Sequence, residues 1–229
     1  MTANANGWER PLLNIKPLGM QRELLQIVAM LTMLIDHIGF VFFPEQWGLR
    51  VIGRISFPLY AFGIVQGYLH SGDVKGYIRR LGLLALLSEI PFIMAFNVWK
   101  INVIGTFFVC ILTLYLLDRI SYKIGKTLVL CASAATLIWI PADYGIYALL
   151  LIFIYRYVSA NLSIPLHFLL NIYYWWSEGV LYQHFSLIST AWLTLGTKLD
   201  IRISVPRWLW LSFYPAHLVI LVLIKELFF

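Results

Sequence analysis

The chain has 229 residues, of which 61% are hydrophobic, 16% aromatic and 12% charged, with a net charge of +6. A soluble globular domain carries about 25% charged residues, so half that share excludes an ordinary water-soluble fold and predicts an integral membrane protein. The basic excess then reads as loop charge at a membrane surface rather than a nucleic-acid footprint, and no nucleic-acid partner is expected.

Residues 1–22 read as a cytoplasmic segment at the membrane surface, with Arg10, Lys16 and Arg22. No cleaved leader is expected, because the first apolar run starts after this mixed segment and is long enough to span by itself. Nine spans follow, at 24–43, 51–69, 78–96, 102–117, 127–140, 144–157, 164–176, 181–195 and 209–227. The fold class is therefore all-α, a polytopic transmembrane helix bundle forming one domain over residues 1–229. Several spans fall short of the roughly 20 residues that cross a bilayer, so irregular helices are expected.

Charge orients these spans. Lys75, Arg79 and Arg80, then Arg119, Lys123 and Lys126, then Arg156, then Lys198, Arg202 and Arg207 fall in loops on the side of the N-terminal segment. The other side holds Arg50, Lys100 and Lys225. The asymmetry predicts a cytoplasmic N-terminus. The expected location is the cell membrane, in the form of a bacterial cytoplasmic membrane, with membrane lipid as surroundings.

Polar residues inside the spans mark the candidate site, since an ionisable residue at mid-membrane costs about 2.5–3.5 kcal/mol and is retained for a function. The first is the pair Asp36-His37. His37 lies about 20 Å up its helix, by the helical rise. Adjacent helical residues point about 100° apart, so the two do not pair with each other. His37 is expected to meet Glu89 or Arg54 from another helix, and Gly39 leaves a notch for close packing. A purely structural clamp of Asp36, His37 and Arg54 is the competing reading. Pro91 follows Glu89 closely and is expected to kink that helix. His217 sits beyond Pro215 in the last span. Arg79 and Arg80 are candidates for phosphates of a cytosolic ligand. His167 and His184 read as packing or interfacial residues. Cys110 and Cys131 read as buried free thiols, and no metal motif occurs. Walker, Gly-x-Gly-x-x-Gly and Gly-x-Ser-x-Gly patterns are missing, which argues against an ATP-driven pump.

Leu34-Ile35-Asp36-His37-Ile38-Gly39, Gly53-Arg54-Ile55-Ser56-Phe57-Pro58, Ser88-Glu89-Ile90-Pro91-Phe92, Asp143-Tyr144-Gly145 and Phe213-Tyr214-Pro215-Ala216-His217-Leu218 stand in this order along the chain. Together they resemble the TraX family, the conjugative F-pilin N-acetylase and its relatives among integral membrane acyltransferases. The resemblance implies an acyl-CoA-dependent, acetyl-transferring enzyme with no bound cofactor, acetyl-CoA being its donor substrate. It carries over Asp36, His37, Arg54 and Glu89 as catalytic candidates, and Asn102, Thr106 and His217 as donor- or substrate-binding candidates.

The expected mechanism has the donor entering from the cytosol with its phosphates near Arg79 and Arg80. His37 is base or acyl carrier, Arg54 stabilises the oxyanion, and Glu89 orients His37. The acceptor is an amine or hydroxyl of a peptide, a pilin N-terminus or a cell-envelope molecule. The alternative is a proton-coupled transporter that uses Asp36, His37, Arg54 and Glu89 as a relay. A silent membrane scaffold is the third reading.

Overall fold

The computed structural model describes residues 19–196 and 204–228. Arg10 and Lys16 of the predicted surface segment, and the loop charges Lys198 and Arg202, lie outside the described residues. Regular structure among the described residues is helical, and the β pairing is an isolated bridge between Ile101 and Ala142. The helices are α1 (Gly19–Phe42), α2 (Trp47–Gly53), α3 (Ser56–Leu69), α4 (Val74–Phe96), α5 (Val103–Arg119), α6 (Lys123–Trp139), α7 (Gly145–Tyr157), α8 (Ala160–Glu178), a 3-10 segment (Leu181–Ser186), α9 (Leu187–Leu195) and α10 (Arg207–Phe228). Among the described residues three stretches are long and apolar enough to cross a membrane: Arg22–Phe42, Trp47–Leu69 and Arg207–Phe228.

The core lies around α5 and α7. Cys110, Ile111 and Leu114 of α5 and Tyr147, Leu151 and Ile152 of α7 are fully buried. The outside is apolar as well: Leu86, Ile90 and Ile124 are 73%, 70% and 74% exposed. Helices that are apolar on both faces suit a hydrocarbon surrounding rather than water. In such a solvent the backbone must satisfy its own hydrogen bonds, which is why uninterrupted apolar runs become helices.

Two expected spans are broken. The run 51–69 divides at Arg54 and Ile55, where α2 ends and α3 begins. Pro58 has no N–H to give the Arg54 carbonyl, so the helical ladder fails there. The chain tightens into three-residue bonds, Arg54 N to Val51 O at 3.1 Å and Ile55 N to Ile52 O at 3.2 Å. The Ser56 hydroxyl donates to Gly53 O at 2.7 Å. The run 181–195 opens as the 3-10 segment and only then becomes α9, nine residues long. At 1.5 Å per residue α9 rises about 14 Å, too little to cross a bilayer alone. The expected helix at 164–176 is present and longer than anticipated, as α8.

Small residues set the closest approaches. A Cβ on Gly39 would stand 2.6 Å from Leu49 Cβ, so the expected notch is there and α2 fills it. A Cβ on Gly53 would run into Oδ1, Cγ and Cβ of Asp36. Cys110 is buried as expected, but Cys131 is exposed, because its face of α6 points away from the bundle.

Candidate active site

Asp36 and His37 leave α1 in different directions, as their helical spacing requires. Asp36 turns to α2 and the break beyond it. Its Oδ1 accepts from Arg54 Nη2 at 2.7 Å and its Oδ2 pairs with Arg50 Nη1 at 2.8 Å. Asp36 and Arg54 are 8% and 6% exposed. One buried carboxylate thus holds two guanidinium groups. Arg54 has further ties: Nε donates to Arg50 O at 3.2 Å and Nη1 to Gln183 Oε1 at 3.4 Å. Its cationic face lies 5.4 Å from the Tyr182 ring and 5.9 Å from that of Tyr144. Arg54 is therefore committed within the protein, in a clamp with Asp36 and Arg50 of which His37, expected there, is not a part.

His37 turns to α10. Its Nδ1 lies 2.7 Å from His217 Nε2, the two rings lying end to end and nearly parallel, 21° apart, with centroids at 4.9 Å. His217 Nδ1 in turn lies 2.6 Å from the Phe213 carbonyl. A carbonyl only accepts, so His217 carries its proton on Nδ1. In the neutral pair its Nε2 is then the acceptor, and His37 Nδ1–H donates to it. The lone pair of His37 falls on Nε2, which has no hydrogen-bond partner among the described residues. Phe96 meets the His37 ring edge-on at 4.8 Å and fixes its plane.

The partner of His37 is thus neither Glu89 nor Arg54. Glu89 instead accepts from the side-chain and backbone amides of Asn102. Asn102 is fully buried and caps α5, accepting from the Ile104 and Gly105 amides at 3.0 and 3.1 Å. Its amide also donates to Ala85 O at 2.8 Å. Thr106, also fully buried, donates to Asp143 O at 2.8 Å. Glu89, Asn102 and Thr106 hold helix ends and a turn, and none of them lines the cavity described next. The expected orienting role of Glu89 and binding roles of Asn102 and Thr106 do not match this geometry. An Asx cap and a serviced carboxylate look in sequence like polar site residues, which is why they were grouped with His37.

A cavity of about 830 Å³ runs through the bundle. One end is lined by Arg22, His70, Arg80 and Arg207, and the other by Asp36, His37, Arg50, Arg54, Asp143 and Tyr182. Between them lie Leu25, Tyr60, Trp210 and Tyr214. The Tyr60 and Trp210 rings stack at 4.9 Å. Arg80 lines the mouth as expected, whereas Arg79 does not. Arg22 and Arg207 join Arg80; sequence reading had counted them only as loop charges.

The turn between α6 and α7 closes the far end. Ile101 N donates to Pro141 O at 2.8 Å and Asp143 N to Ile101 O at 2.9 Å. Tyr144 has a left-handed φ of 61°, unusual for a residue with a side chain, and its ring stacks on Phe57 at 3.7 Å. Burial pushes the Asp143 carboxyl up to about 6, against the opposing pull of the Arg54 charge.

Behind Arg54 lies a second buried network. Gln183 Nε2 donates to the Tyr147 hydroxyl at 3.0 Å, and that hydroxyl donates to Asn171 Oδ1 at 2.8 Å. His167, fully buried, bonds Tyr147 at 2.8 Å and Thr190 at 2.6 Å. This satisfied set ties α7, α8 and α9 together and backs the Gln183 contact to Arg54, so His167 is a packing residue. His184 is not part of it; its Nδ1 lies 2.9 Å from Leu181 O.

An apolar helical protein with spanning-length helices and an internal cavity, its wall carrying a histidine backed by a second one, is the class these features define. Within it the assignment is specific. The chain belongs to the TraX family, whose model, described as TraX protein, matches residues 21–225. It is similar to the Probable fimbrial assembly protein FimC, serogroup H1, of Dichelobacter nodosus, with 28% identity over 141 residues, 54% of this chain and 56% of that one. It is also similar to an uncharacterized protein of Rickettsia prowazekii (strain Madrid E), with 44% identity over 41 residues, 18% of this chain and 16% of that one. The chain thus spans about half or less of the curated relatives it matches. No solved structure matches it.

Proposed function

We propose that the chain is a multi-pass membrane acyltransferase that moves an acetyl or related acyl group from cytosolic acyl-CoA to an amine or hydroxyl acceptor. The observation that carries this reading is the cavity that joins the Arg22, Arg80 and Arg207 mouth to His37, which His217 backs from behind the wall. Arginines suit phosphate by charge and by fork geometry. A nucleotide would sit at that mouth and the thin pantetheine arm would reach along the Tyr60 and Trp210 walls. The thioester would then lie beside His37 Nε2.

In this reading His37 is the general base, with its Nδ1–H held by His217 and the Phe213 carbonyl. The relay stabilises the charge that His37 gains when it takes the acceptor proton. The Asp36, Arg50 and Arg54 clamp sets the shape and charge of the far end. The loop-charge asymmetry supports a cytoplasmic N-terminus in a bacterial cytoplasmic membrane, which puts the histidine pair toward the outside. The acceptor then arrives from that side, as a peptide or cell-envelope molecule. The printed name of the Dichelobacter relative, a fimbrial assembly protein, favours an acceptor in surface-fibre assembly.

The test is release of CoA from radiolabelled acetyl-CoA by purified protein in detergent, with a short peptide bearing a free N-terminal amine as acceptor. Turnover by the wild type that His37→Ala abolishes supports the reading. Folded wild type that neither binds acetyl-CoA nor releases CoA removes it.

The cavity reaches toward both ends of the bundle and carries titratable groups, which favours a proton-coupled transporter as the second reading. Proton flux in liposomes without acyl-CoA turnover would select it.

A further inference from the structure

Tyr214 lies on α10, one turn before His217, and is 4% exposed. It lines the cavity beside both histidines, its ring centroid 6.2 Å from His37 and 5.6 Å from His217, edge-on to each. The Val103 backbone amide approaches its oxygen as a donor, but the hydroxyl proton has no acceptor among the described residues. Burying an O–H without an acceptor is costly, and phenylalanine would avoid that cost with the same ring. Arg54 and Glu89 differ from it in being serviced, Arg54 by Asp36, Gln183 and the Arg50 carbonyl, and Glu89 Oε2 by Asn102. The wall beside His37 thus presents a base without a proton, His37 Nε2, and a buried O–H without an acceptor, that of Tyr214.

We propose that Tyr214 is a further catalytic residue, the hydrogen-bond donor to the acyl carbonyl oxygen of the thioester. This assignment rests on the transferase reading. The acceptor nitrogen forms a bond to the carbonyl carbon as His37 Nε2 takes its proton. The carbonyl π pair moves onto oxygen, and that oxyanion accepts a stronger hydrogen bond from Tyr214 than the ground-state carbonyl does. The carbonyl re-forms, the carbon–sulfur bond breaks, and the sulfur takes the proton from His37. Acylated acceptor and CoA thiol leave; Tyr214 and both histidines end as they began. The position of Tyr214 on the same helix as His217 fixes donor and relay together, so α10 supplies both electrostatic partners of the reaction.

The experiment compares wild type with Tyr214→Phe, in detergent, with acetyl-CoA and a short peptide amine, reading kcat, KM and thermal stability. Loss of a single oxyanion donor lowers kcat by roughly 100- to 1,000-fold. The expected result is that fall in kcat, a donor KM within about threefold of wild type, and a melting temperature equal or higher, since a buried O–H without an acceptor is gone. A kcat within about threefold of wild type overturns the assignment and leaves the transferase reading standing. A kcat loss that comes with a lower melting temperature and weaker acetyl-CoA binding also overturns it, because the hydroxyl then acts through the fold. Wild type without turnover removes the transferase reading and this assignment with it.

Discussion

His37 on α1 and His217 on α10, 180 positions apart in the chain, share a 2.7 Å nitrogen–nitrogen hydrogen bond that the Phe213 carbonyl polarises from behind. The chain is direction-specific: carbonyl, His217, His37, lone pair. Removing His217 leaves His37 with its ring but without its fixed tautomer. Under the transferase reading, His217→Ala therefore lowers kcat by about 100- to 10,000-fold, the usual worth of general base chemistry. The double variant His37→Ala with His217→Ala is expected to be no worse than His37→Ala alone, since the two act as a unit. Additive losses, measured as kcat in single-turnover assays, would show that His217 works independently.

A second prediction concerns the clamp. Asp36 neutralises Arg50 and Arg54 at once. Asp36→Ala leaves the buried Arg54 and the partly exposed Arg50 without an anion, and stranding a buried charge costs about 3–5 kcal/mol. The protein is expected to melt at a clearly lower temperature in detergent. Gly53→Ala should do nearly the same by a different route, because its new Cβ enters the space of the Asp36 carboxylate. Asp36→Ala takes Oδ1 and Cγ out of the way of the new Cβ but leaves the Asp36 Cβ against it, so the double variant should lose more than either alone and less than their sum. Full additivity would mean that Gly53 and Asp36 do not share a contact.

How much of this was legible beforehand follows from what sequence encodes locally. The 100° spacing of Asp36 and His37 excluded a dyad within α1, and the fold agrees. The helical nature of the apolar runs followed from their length, and Gly39 was readable as a packing notch. The identity of the His37 partner was not readable, since it depends on how α10 packs against α1. In sequence Glu89 looks equally suited, but in the fold its Oε2 is taken by Asn102. Arg50 looked like a loop charge because its three-residue offset from Gly53 gains meaning only once α2 folds back onto Asp36. The break at Arg54 could have been drawn from Pro58, whose missing N–H acts four residues upstream.

Asp143 sets a pH dependence of stability. Burial raises its folded pKa to about 6, above the ordinary carboxylate value near 3.9. Folding therefore disfavours the anion, and the group is neutral at no cost below the unfolded value. The penalty grows as pH rises from about 4 to about 6 and is constant above that. Asp143→Asn removes it. The difference in melting temperature between Asp143→Asn and wild type is expected to be small near pH 4, to increase in favour of the variant up to about pH 6.5, and then to level. A difference that shrinks as pH rises would mean that the Asp143 anion is stabilised in the fold, by Arg54 or Lys100.

The cavity mouth separates two kinds of arginine. Arg80 lines it together with Arg22 and Arg207, whereas Arg79, one residue earlier on α4, faces elsewhere. Under the transferase reading the mouth recognises the nucleotide phosphates, and acetyl-pantetheine has no nucleotide. Arg80→Gln and Arg22→Gln should each raise KM for acetyl-CoA by about 5- to 30-fold, the loss of one charged hydrogen bond of roughly 1–2 kcal/mol. Neither should change KM for acetyl-pantetheine, and Arg79→Gln should change neither substrate. Raised ionic strength is expected to mimic the Arg80 variant for acetyl-CoA alone, because salt screens exposed phosphate contacts. If Arg79→Gln raises KM for acetyl-CoA as much as Arg80→Gln does, the nucleotide lies on the open surface of α4 and the cavity admits only the acyl end from elsewhere.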